Sequence, residues 1–468
     1  MNDHNAGRYL GYAACMVMAV LLLAAIYFMP LRMLFLDAPF MISNIINAGH
    51  PMIMEHRYGS FITQMWPWLG SLAGLSLYDI LHLYNASFNV FYLAVAVLLV
   101  FKWKEYGLAV LLALYYTLLV SDGFYWTNNE IHQAVGWMFV WLGLYRYQKQ
   151  KNRSLMVRML TFELTAALAA LTHPLMVIVL VFVWGFTLLE EKSEGPERRF
   201  NIIFSSIIIT VVTARVLLSV FFGWYDQDKL NTTGAQVLEF PGRLLQKELF
   251  SEVLYQYSHD LSGGLLLFLA GLILLIRQKK YLLSALFVSV IVAYHLLFLA
   301  AFDAWIGFYS QSELMPLTII FGLPVVTYAH LYIPGRYLLP LFALVSAIRI
   351  AIILDASGPF AERLQQTQTY LDRMRQQNMT KALIIEDEKM RQQYIMTWGL
   401  PSESLIASVI SADGIARTIK PVPAADTSSY LHTPPGQYLD CFRTVPISGL
   451  HQNYFQLDTT NGYRLLYR

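Results

Sequence analysis

The sequence predicts an all-α polytopic membrane protein with about 11 transmembrane helices and a small C-terminal extracytoplasmic α/β domain. Of its 468 residues, 56% are hydrophobic and only 14% are charged, which is too apolar for a soluble chain of this length. Hydrophobic runs long enough to cross a bilayer follow one another up to residue 354, and a more polar segment comes after them. We therefore predict a transmembrane domain over 1–354 and an extracytoplasmic domain over 355–468.

The hydrophobic runs locate the predicted spans, with ends defined to within several residues. The first run follows a short polar start and has no small-residue cleavage site after it, so we expect an uncleaved span. In order, the runs cover residues 9–30, 86–101, 106–120, 131–146, 156–171, 174–189, 201–222, 262–276, 281–300, 314–332 and 337–354.

Lysine and arginine residues in the short connecting segments set the predicted orientation. They are concentrated in alternate loops, which the positive-inside rule places in the cytoplasm. The N-terminus is then cytoplasmic and, with an odd number of spans, the C-terminus is periplasmic. The sequence has no eukaryotic targeting signal, so we expect a bacterial inner membrane. The basic residues on the cytoplasmic side are Lys102, Lys104, Arg146, Lys149, Lys151, Arg153, Lys192, Arg198, Arg199, Arg277, Lys279 and Lys280.

The outer face receives four segments between spans. The first external loop, 31–85, is too polar to cross a bilayer and too apolar to extend into water. We expect it to lie along the membrane face and to be partly helical. The other three are a turn at 121–130 and loops at 223–259 and 302–313.

The polar tail has the pattern of a small α/β domain. The segment AERLQQTQTYLDRMRQQ predicts a connecting helix and PSESLIASVI a second helix. Strands are predicted at KALIIEDE, at FRTV and on both sides of a turn in YFQLDTTNGYRLLYR. Cys15 and Cys441 lie in the first span and in this tail, so the fold does not depend on a disulfide.

Asp37 is placed where the first predicted span leaves the membrane, in the sequence LDAP. A carboxylate held there, away from bulk water, could serve as a general base for an acceptor hydroxyl. The alternative is a helix cap, because Asp followed two residues later by Pro39 is a good start for a helix. The two roles can coexist.

A second acidic residue, Glu130, opens the fourth predicted span, and His132 follows it. Capping of the helix N-terminus is the simpler interpretation, because a carboxylate is stabilised there. The functional interpretation is a second acidic group that faces the same outer cavity as Asp37, with His132 close to the substrate.

Charged residues inside predicted spans are costly and usually have a partner or a function. Arg215 is the most informative, since a guanidinium near the outer leaflet could hold a lipid phosphate through paired hydrogen bonds. An intramembrane ion pair, for instance with Glu163, is the alternative. His173, in the sequence THP, suits a polar turn better than a ligand. Arg349 and His295 also lie in predicted spans.

The first external loop combines a cation, a phenol and indole rings. We predict His50, Glu55, Arg57 and Tyr58 as substrate-binding residues of this loop, with Arg57 directed to a phosphate or an acidic neighbour. Aromatic rings such as Tyr58 can stack on sugars, although they also populate membrane interfaces.

The external loop 223–259 contains further candidates. Lys229 and Arg243 are additional cations for a phosphate, and Asp226 with Asp228 resembles a D-x-D metal pair. That pattern is common in solvated loops, so a divalent metal has only weak support and no cofactor is required. The net charge of +2 gives no indication of nucleic acid binding. Motifs of metalloproteases, P-loop ATPases and serine hydrolases are absent from the sequence.

Taken in order, these features resemble the GT-C class of membrane glycosyltransferases, which includes protein mannosyltransferases and lipid A aminoarabinose transferases. The resemblance rests on LDAP after the first span, on RYGSFITQMWPWLGSLAGLSLYDILHLYNASF in the first loop and on YWTNNEIHQAVGWMFVWLGLYRYQ at the fourth span. A THPL turn between two short spans and a soluble domain after the last span complete it. It covers about the first 190 residues. The single acid at Asp37 differs from the paired acids of protein mannosyltransferases.

The resemblance implies transfer of a sugar, with inversion, from a polyprenyl-phosphate-linked donor to a glycan, lipid or protein acceptor at the outer face. Asp37 matches the acidic residue of the family and is implied as the base or as the carboxylate that orients the acceptor, and Glu130 is implied as a second catalytic acidic residue. Membrane lipids are the other expected partners, and the lipid chain would occupy a groove between helices.

Three other functions fit a polytopic protein of this kind. An O-antigen-type polymerase or ligase would depend on external Arg and His residues rather than on Asp37. A transporter or flippase would carry acidic residues at mid-membrane depth, where only Glu163 is predicted. In a non-catalytic assembly subunit, the polar residues of the first loop would face water or another protein.

Overall fold

The computed structural model describes residues 3–151, 153–191, 196–238, 248–411 and 413–467. Within these ranges, five helices are long and apolar enough to cross a membrane, and two bent helix pairs raise the number to seven. This is the architecture expected of an integral membrane protein. The five helices are Asn5–Tyr27, Leu77–Trp103, Arg198–Phe221, Tyr281–Ala301 and Gly335–Gln376, and the pairs are Glu248–Ser258 with Ser262–Arg277 (80°) and Gly307–Leu314 with Leu317–Leu331 (41°).

The α-helices of the first part of the chain follow the predicted order of apolar segments. Their bounds are α1 (Asp3–Tyr27), α2 (Met29–Met33), α3 (Asp37–Ala48), α4 (Phe61–Leu72), α5 (Leu77–Val97), α6 (Tyr106–Tyr115), α7 (Glu130–Gln150), α8 (Leu155–Ala170), α9 (Met176–Glu190) and α10 (Pro196–Phe221). The next are α11 (Trp224–Leu238), α12 (Glu248–Ser258), α13 (Ser262–Arg277), α14 (Tyr281–Ala301), α15 (Gly307–Leu314), α16 (Leu317–Tyr328) and α17 (Gly335–Asp355).

Helix α1 shows how these sequences fold as membrane helices. Ala14, Met18 and Leu21 are buried at helical spacing and form the face that packs on α5 and α6. Met16 and Leu23, on the other side of the helix, are 68% and 67% exposed. Apolar side chains directed outward in this way suit a lipid environment, in which the helix also satisfies its own backbone polar groups.

Hydropathy located the helices, but only some of the described helices are long and apolar enough to be full-length spans. Helices α6, α8 and α9 lie within predicted spans, yet they contain 10, 16 and 15 residues. A straight transmembrane helix needs about 20 apolar residues. Helix α7 contains 21 residues, but a polar first turn and a basic last turn leave less apolar length. The number of long apolar helices is therefore smaller than the predicted number of about 11.

The segments that were predicted to be external are more helical than the sequence indicated. The first loop contains α3 and α4, which confirms its partly helical character. The segment 223–259, which was expected to be a loop, instead forms α11 and α12 on either side of 239–247, outside the described residues. Aromatic and apolar residues at helical spacing, such as Leu249 and Val253, are buried in α12 and explain the helix there.

The C-terminal region begins with a continuation of the last apolar helix. Helices α17 and α18 (Gly358–Gln376) form one element of 42 residues, and α18 is the connecting helix predicted from the polar sequence. The remaining elements are β1 (Lys381–Ile385), α19 (Glu388–Gln393), α20 (Leu400–Val409), β2 (Thr418–Val422), α21 (Thr427–Leu431), β3 (Gln437–Leu439), β4 (Thr444–Pro446) and β5 (Arg464–Leu465).

The strands form a three-stranded sheet in the order β2-β1-β5 and a two-stranded sheet of β3 and β4. Strand β1 is parallel to both neighbours, with Lys381 opposite Thr418 and Ala382 opposite Arg464. The predicted strand at KALII, the helix at PSESLIASV and a strand within FRTV are confirmed. The prediction of two strands around a turn at the C-terminal end is wrong, because the described part of that segment forms only β5, which pairs with β1.

The C-terminal region packs directly on the first external loop. Arg443 donates a hydrogen bond to the Asn44 side chain at 3.2 Å, and the backbone N–H of His451 donates one to Asn47 at 2.7 Å. The Phe40 ring contacts the rings of Trp398 and Phe442. Helix α3 is therefore covered by the C-terminal region, and Asp37 is its first residue.

Candidate active site

The carboxylate of Asp37 points toward the segment that precedes α7. The indole N–H of Trp126 donates a hydrogen bond to Asp37 Oδ2. The Asp37 side chain is half-buried, and Asp37 is the first residue of α3, whose N-cap is Leu36. Asp37 is therefore not the N-cap residue, although its place in the first turn of a helix does favour a negative charge.

The surroundings of Asp37 change its acidity. Burial raises the pKa of the carboxyl to about 7, and the negative charge of Glu130 acts in the same direction. The hydrogen bond from Trp126 and the positive charge of Arg57 lower the pKa in part. A carboxyl of this kind is present in both protonation states near neutral pH, which suits a general base.

Glu130 forms an ion pair with Arg57 of the first external loop. The distance from Arg57 Nη1 to Glu130 Oε2 is 2.8 Å, and both side chains are 15% exposed. The N-cap of α7 is Asn129, whose side chain accepts a hydrogen bond from the N–H of Ile131 at 3.0 Å. The capping role considered for Glu130 therefore belongs to Asn129, and the Glu130 side chain is available for the ion pair.

Asp226 joins Arg57 to a second arginine. Arg57 Nη2 lies 3.4 Å from Asp226 Oδ1, and Arg215 Nη2 lies 2.7 Å from Asp226 Oδ2. The hydroxyl of Ser219 also donates to Asp226 Oδ2 at 3.3 Å. Four residues from four segments thus alternate in charge. We call Glu130, Arg57, Asp226 and Arg215 the charge chain.

The charge chain corrects two sequence-based interpretations. The partner of Arg215 is Asp226, not Glu163, whose side chain is exposed on α8. The expected D-x-D pair is divided, because Asp226 is 5% exposed while Asp228 faces outward from the same helix. Residues two apart on a helix point in nearly opposite directions. Among the described residues, no group of three or more His, Cys, Asp or Glu side chains is arranged to hold a metal ion.

Arg57 is held between the two carboxylates of the charge chain. Burial by itself lowers the pKa of this guanidinium, but the charges of Glu130 and Asp226 outweigh burial and raise the pKa above its ordinary value. The guanidinium remains charged at every pH of interest. Its Nε has no hydrogen-bond partner among the described residues.

Arg215 is the more deeply buried arginine of the pair. Its side chain is 1% exposed, and within the described ranges its Nε and Nη1 atoms have no hydrogen-bond partner. Glu55 lies on the same side of the cluster, since a Cβ on Gly223 would come within 2.6 Å of Glu55 Oε2. That oxygen is also buried without a partner in the described part of the chain. Arg215 is therefore paired with Asp226 and is poorly exposed to a ligand.

The two histidines occupy different depths. His173 lies in the turn between α8 and α9, where it is buried, and its Nδ1 accepts the N–H of Leu175 at 3.4 Å. Burial and the charges of Arg57 and Arg215 lower the pKa of His173, so the ring is neutral. His132 is 5% exposed and forms a 2.8 Å hydrogen bond with the hydroxyl of Tyr115. His173 therefore borders the charge chain, whereas His132 lies inside the helix bundle.

Lys229 is the most accessible cation near the site. Its ammonium lies 5.8 Å from the ring centroids of both Tyr225 and Phe302, and its side chain is exposed. No carboxylate of the described residues lies within ion-pair distance of it. A cation of this kind can bind an incoming anion without breaking an existing ion pair.

Sequence reasoning missed Glu313 and Tyr309 on α15. Glu313 is 6% exposed and interacts electrostatically with Arg57 and Lys229. The Tyr309 ring lies 4.9 Å from that of Trp126. The available signal was the polar run YSQSE immediately before an apolar segment, which resembles a helix entry more than part of a site.

Two predicted residues are not brought into this cluster. His50 is exposed and contacts the Pro51 carbonyl at 3.0 Å. Tyr58 is 48% exposed, and its hydroxyl lies 3.1 Å from His56 Nδ1. Arg243 lies outside the described residues.

Two buried arginines that could be mistaken for site residues have structural roles. Arg32 donates to Asn85 at 2.8 Å, to Asn89 at 3.0 Å and to the carbonyl of Phe124 at 2.7 Å. It thereby connects α2 and α5 to the segment that carries Trp126. Arg349 on α17 donates to backbone carbonyls, including that of Val120 at 2.7 Å. Arg32 thus holds the 121–130 segment at Phe124, and Arg349 holds the residue that directly precedes this segment.

Comparison of the chain with known protein families, curated proteins and solved structures gave no match. The function is therefore argued from the residues and from their arrangement.

Proposed function

We propose that the chain transfers a sugar from a polyprenyl-phosphate-linked donor to an acceptor hydroxyl at the outer membrane face. The observation that carries the proposal is the position of Asp37, a half-buried carboxyl bound to Trp126 and next to the charge chain. An acid that can release and take up a proton near neutral pH lies there beside fixed cations. This combination suits a reaction in which a hydroxyl loses a proton and a phosphate departs.

In the proposed reaction, Asp37 accepts the proton of the acceptor hydroxyl while the hydroxyl oxygen bonds to the anomeric carbon. The bond from that carbon to the phosphate oxygen breaks, and the phosphate leaves with the electron pair. Attack from the face opposite the leaving group inverts the anomeric centre. No cofactor is required, because the phosphate is already a good leaving group.

We assign the departing phosphate to Lys229 rather than to Arg215. Lys229 is exposed and forms no ion pair at contact distance with a described residue, whereas Arg215 is 1% exposed and paired with Asp226. Arg57 pairs with Asp226, lies 6.0 Å from the centroid of the Tyr225 ring and is 15% exposed. It could share a phosphate oxygen if Glu130 or Asp226 moved slightly. The charge chain then fixes Arg57 in place before substrate binds, which reduces reorganisation during the reaction.

The finer architecture belongs to the same proposal. Helix α7 and the shorter apolar helices α6, α8 and α9 would complete a GT-C-like set of about 11 membrane segments. The N-terminus would be cytoplasmic and the C-terminal region periplasmic, in a bacterial inner membrane. In that orientation Asp37 and Lys229 are on the periplasmic side, where a polyprenyl-linked donor presents its sugar.

The test uses membrane vesicles that contain the full chain and their own acceptors. Radiolabelled polyprenyl-phosphate hexose, N-acetylhexosamine and aminopentose are supplied one at a time, and release of polyprenyl phosphate is measured. We expect one donor to be consumed and Asp37→Asn to reduce the rate at least about 100-fold. Asp228→Asn, an exposed carboxylate on α11, is the matched control and should retain the activity.

Two outcomes would contradict the proposal. If Asp37→Asn consumed the donor as fast as the unaltered chain, Asp37 would not be the base. If the double variant Asp37→Asn with Glu130→Gln also remained active, a polymerase or ligase that relies on external Arg and His residues would fit better.

A further inference from the structure

The residue before Asp37 has an unusual backbone conformation. Leu36 has φ 47° and ψ −107°, a region that bulky L-residues rarely occupy. Its side chain is buried, with 1% exposure. Such a conformation persists only where the surrounding contacts hold it in place. Because Leu36 directly precedes Asp37, its backbone angles set the direction in which the Asp37 side chain leaves the chain.

The contact that holds Leu36 comes from the C-terminal region. The backbone N–H of Leu36 donates a hydrogen bond to Glu403 Oε1 on α20 at 2.8 Å. Gly399, the N-cap residue of α20, packs closely against Leu36, since a Cβ on Gly399 would lie 2.9 Å from Leu36 Cα. Residues more than 360 positions away in the sequence thus pack against Leu36, which precedes Asp37.

Glu403 is itself fixed by Arg363 on α18. Arg363 Nη2 lies 2.7 Å from Glu403 Oε1, and Arg363 Nε lies 3.1 Å from Glu403 Oε2. The two side chains are 6% and 1% exposed. The Arg363 guanidinium also lies 5.1 Å from the ring centroid of Phe35. Two parallel hydrogen bonds of this kind fix the carboxylate in direction as well as in position.

A buried ion pair is a poor source of net stability. The cost of removing both charges from water commonly cancels their attraction, and apolar residues of similar size often serve a fold as well. The Arg363 and Glu403 pair also supplies one hydrogen-bond acceptor at a defined point, directed at the backbone N–H of Leu36. The arrangement therefore fits a positioning role better than a purely stabilising one.

We propose that Glu403, held by Arg363, is a positioning residue that orients Asp37 toward Trp126 through the backbone of Leu36. The catalytic consequence rests on the proposed sugar transfer, whereas the structural consequence does not. The C-terminal region is then part of the working site, although no residue of it needs to touch the substrate.

The kinetic test compares Glu403→Gln and Glu403→Ala in the full-length chain. Gln keeps a carbonyl oxygen for the Leu36 N–H but cannot accept the hydrogen bond from Arg363 Nε, so we expect kcat to lie between those of the unaltered chain and Glu403→Ala. Ala removes the acceptor, and we expect kcat to fall about 100-fold while KM for the donor changes less than about threefold. Glu362→Ala, an exposed neighbour of Arg363, is the control. Equal kcat for Glu403→Ala and Glu362→Ala would overturn the proposal.

A second measurement does not depend on any enzymatic activity. Thermal unfolding is followed at pH 5.5 and pH 8.5 for the unaltered chain, Asp37→Asn, Glu403→Ala and the double variant. In the unaltered background, we expect Asp37→Asn to raise the melting temperature more at the higher pH. The pH-dependent gain is the rise in melting temperature caused by Asp37→Asn at pH 8.5 minus the rise at pH 5.5. In the Glu403→Ala background, this gain should fall to less than about half of its value in the unaltered background, because the Asp37 carboxyl can turn toward water.

The groups that act on Asp37 remain unchanged in this comparison. They are Arg57, Glu130, Tyr84, Tyr225 and Tyr309. An identical pH-dependent gain in both backgrounds would show that Glu403 does not position Asp37, whether or not sugar transfer occurs. If Glu403→Ala does not fold, Gly399→Ala replaces it, since its Cβ would displace Leu36 and Glu403 together. If sugar transfer is absent but the gain is reduced, the positioning role holds and the proposed function fails.

Discussion

Trp126 donates its indole N–H to the carboxylate of Asp37, and the two residues are 89 positions apart in the chain. The contact joins the first external loop to the segment that precedes α7. Since Arg32 binds the carbonyl of Phe124 two residues earlier, the indole is attached to a rigid part of the helix bundle. The orientation of the proposed base therefore depends on the bundle on one side and on the C-terminal region on the other.

Loss of this hydrogen bond should shift the pH dependence of the reaction. The Trp126 N–H stabilises the charged carboxylate and so lowers the pKa of Asp37, which burial has raised to about 7. In Trp126→Phe the pKa rises further, and less of the base is deprotonated at neutral pH. We expect the acidic limb of the kcat profile to move upward by about one pH unit. An unmoved limb would mean that another group limits the rate at low pH.

Asp37 should also reduce the stability of the fold at alkaline pH. The folded chain holds the proton of Asp37 up to a pKa of about 7, whereas the unfolded chain releases it near pH 4. Stability from this group is therefore complete below about pH 4 and is lost as pH rises through 7.

Asp37→Asn removes that loss. Relative to the unaltered chain, it should stabilise the fold by up to about 3 kcal/mol at pH 8.5 and by little at pH 4.5. Thermal unfolding in detergent at the two pH values measures the difference. A variant that was destabilised equally at both would show that the carboxylate is not held in a desolvated position.

The sequence predicted Asp37, Glu130, Arg57 and Arg215 individually, because each is a charged residue next to or within an apolar run. Their arrangement as one cluster was harder to predict from the sequence. The ion pairs connect residues from 11 to 169 positions apart, and periodicity reports only on neighbours within one helix. The Arg57 to Asp226 contact required the segment after residue 223 to be a helix that folds back, and its polar composition indicated a loop instead.

The contribution of the C-terminal region could not be predicted for a related reason. Glu403 is part of PSESLIASV, which was correctly assigned to a helix, and a glutamate in a helix is ordinarily solvent-exposed. Its burial depends on tertiary contacts with Arg363 and with the backbone of Leu36. Every residue except proline has a backbone N–H, so the sequence does not indicate that the N–H of Leu36 takes a side-chain acceptor.

Asp226 and Asp228 offer a direct comparison on one helix. Asp226 is paired with both Arg57 and Arg215, so Asp226→Asn leaves the buried Arg215 without its carboxylate, whereas Arg57 keeps Glu130. We expect destabilisation of about 2 to 4 kcal/mol and loss of most of the transferase activity. Asp228→Asn should behave like the unaltered chain, because its side chain faces outward.

The same pair of variants distinguishes the charge chain from the alternative of a metal site. If Asp226 and Asp228 bound a metal together, both substitutions would reduce activity to a similar extent, and added Mn²⁺ or Mg²⁺ would partly restore it. A large effect of Asp226→Asn with no effect of Asp228→Asn, independent of added metal, supports the charge chain.

Lys229 provides the sharpest test of where the donor phosphate binds. Its ammonium is exposed and rests against the rings of Tyr225 and Phe302, so truncation should not disturb a buried ion pair. A hydrogen bond from a charged group to a phosphate contributes about 1.5 to 3 kcal/mol. Lys229→Ala should therefore lower kcat/KM for the lipid-linked donor about 10- to 100-fold, with no change in thermal stability. Lys229→Arg should retain most of the activity because the charge is kept.

The control for Lys229 is Gln227→Ala, an exposed position on the same helix. Charge attraction at an exposed lysine weakens as salt screens it. The unaltered chain should therefore lose donor affinity as ionic strength rises, while Lys229→Ala should be much less sensitive to salt. If Lys229→Ala retained both its kcat/KM and the salt dependence of the unaltered chain, the phosphate would lie elsewhere. Arg57, the next most accessible cation of the site, would then be its binding residue, and opening of the charge chain would have to precede catalysis.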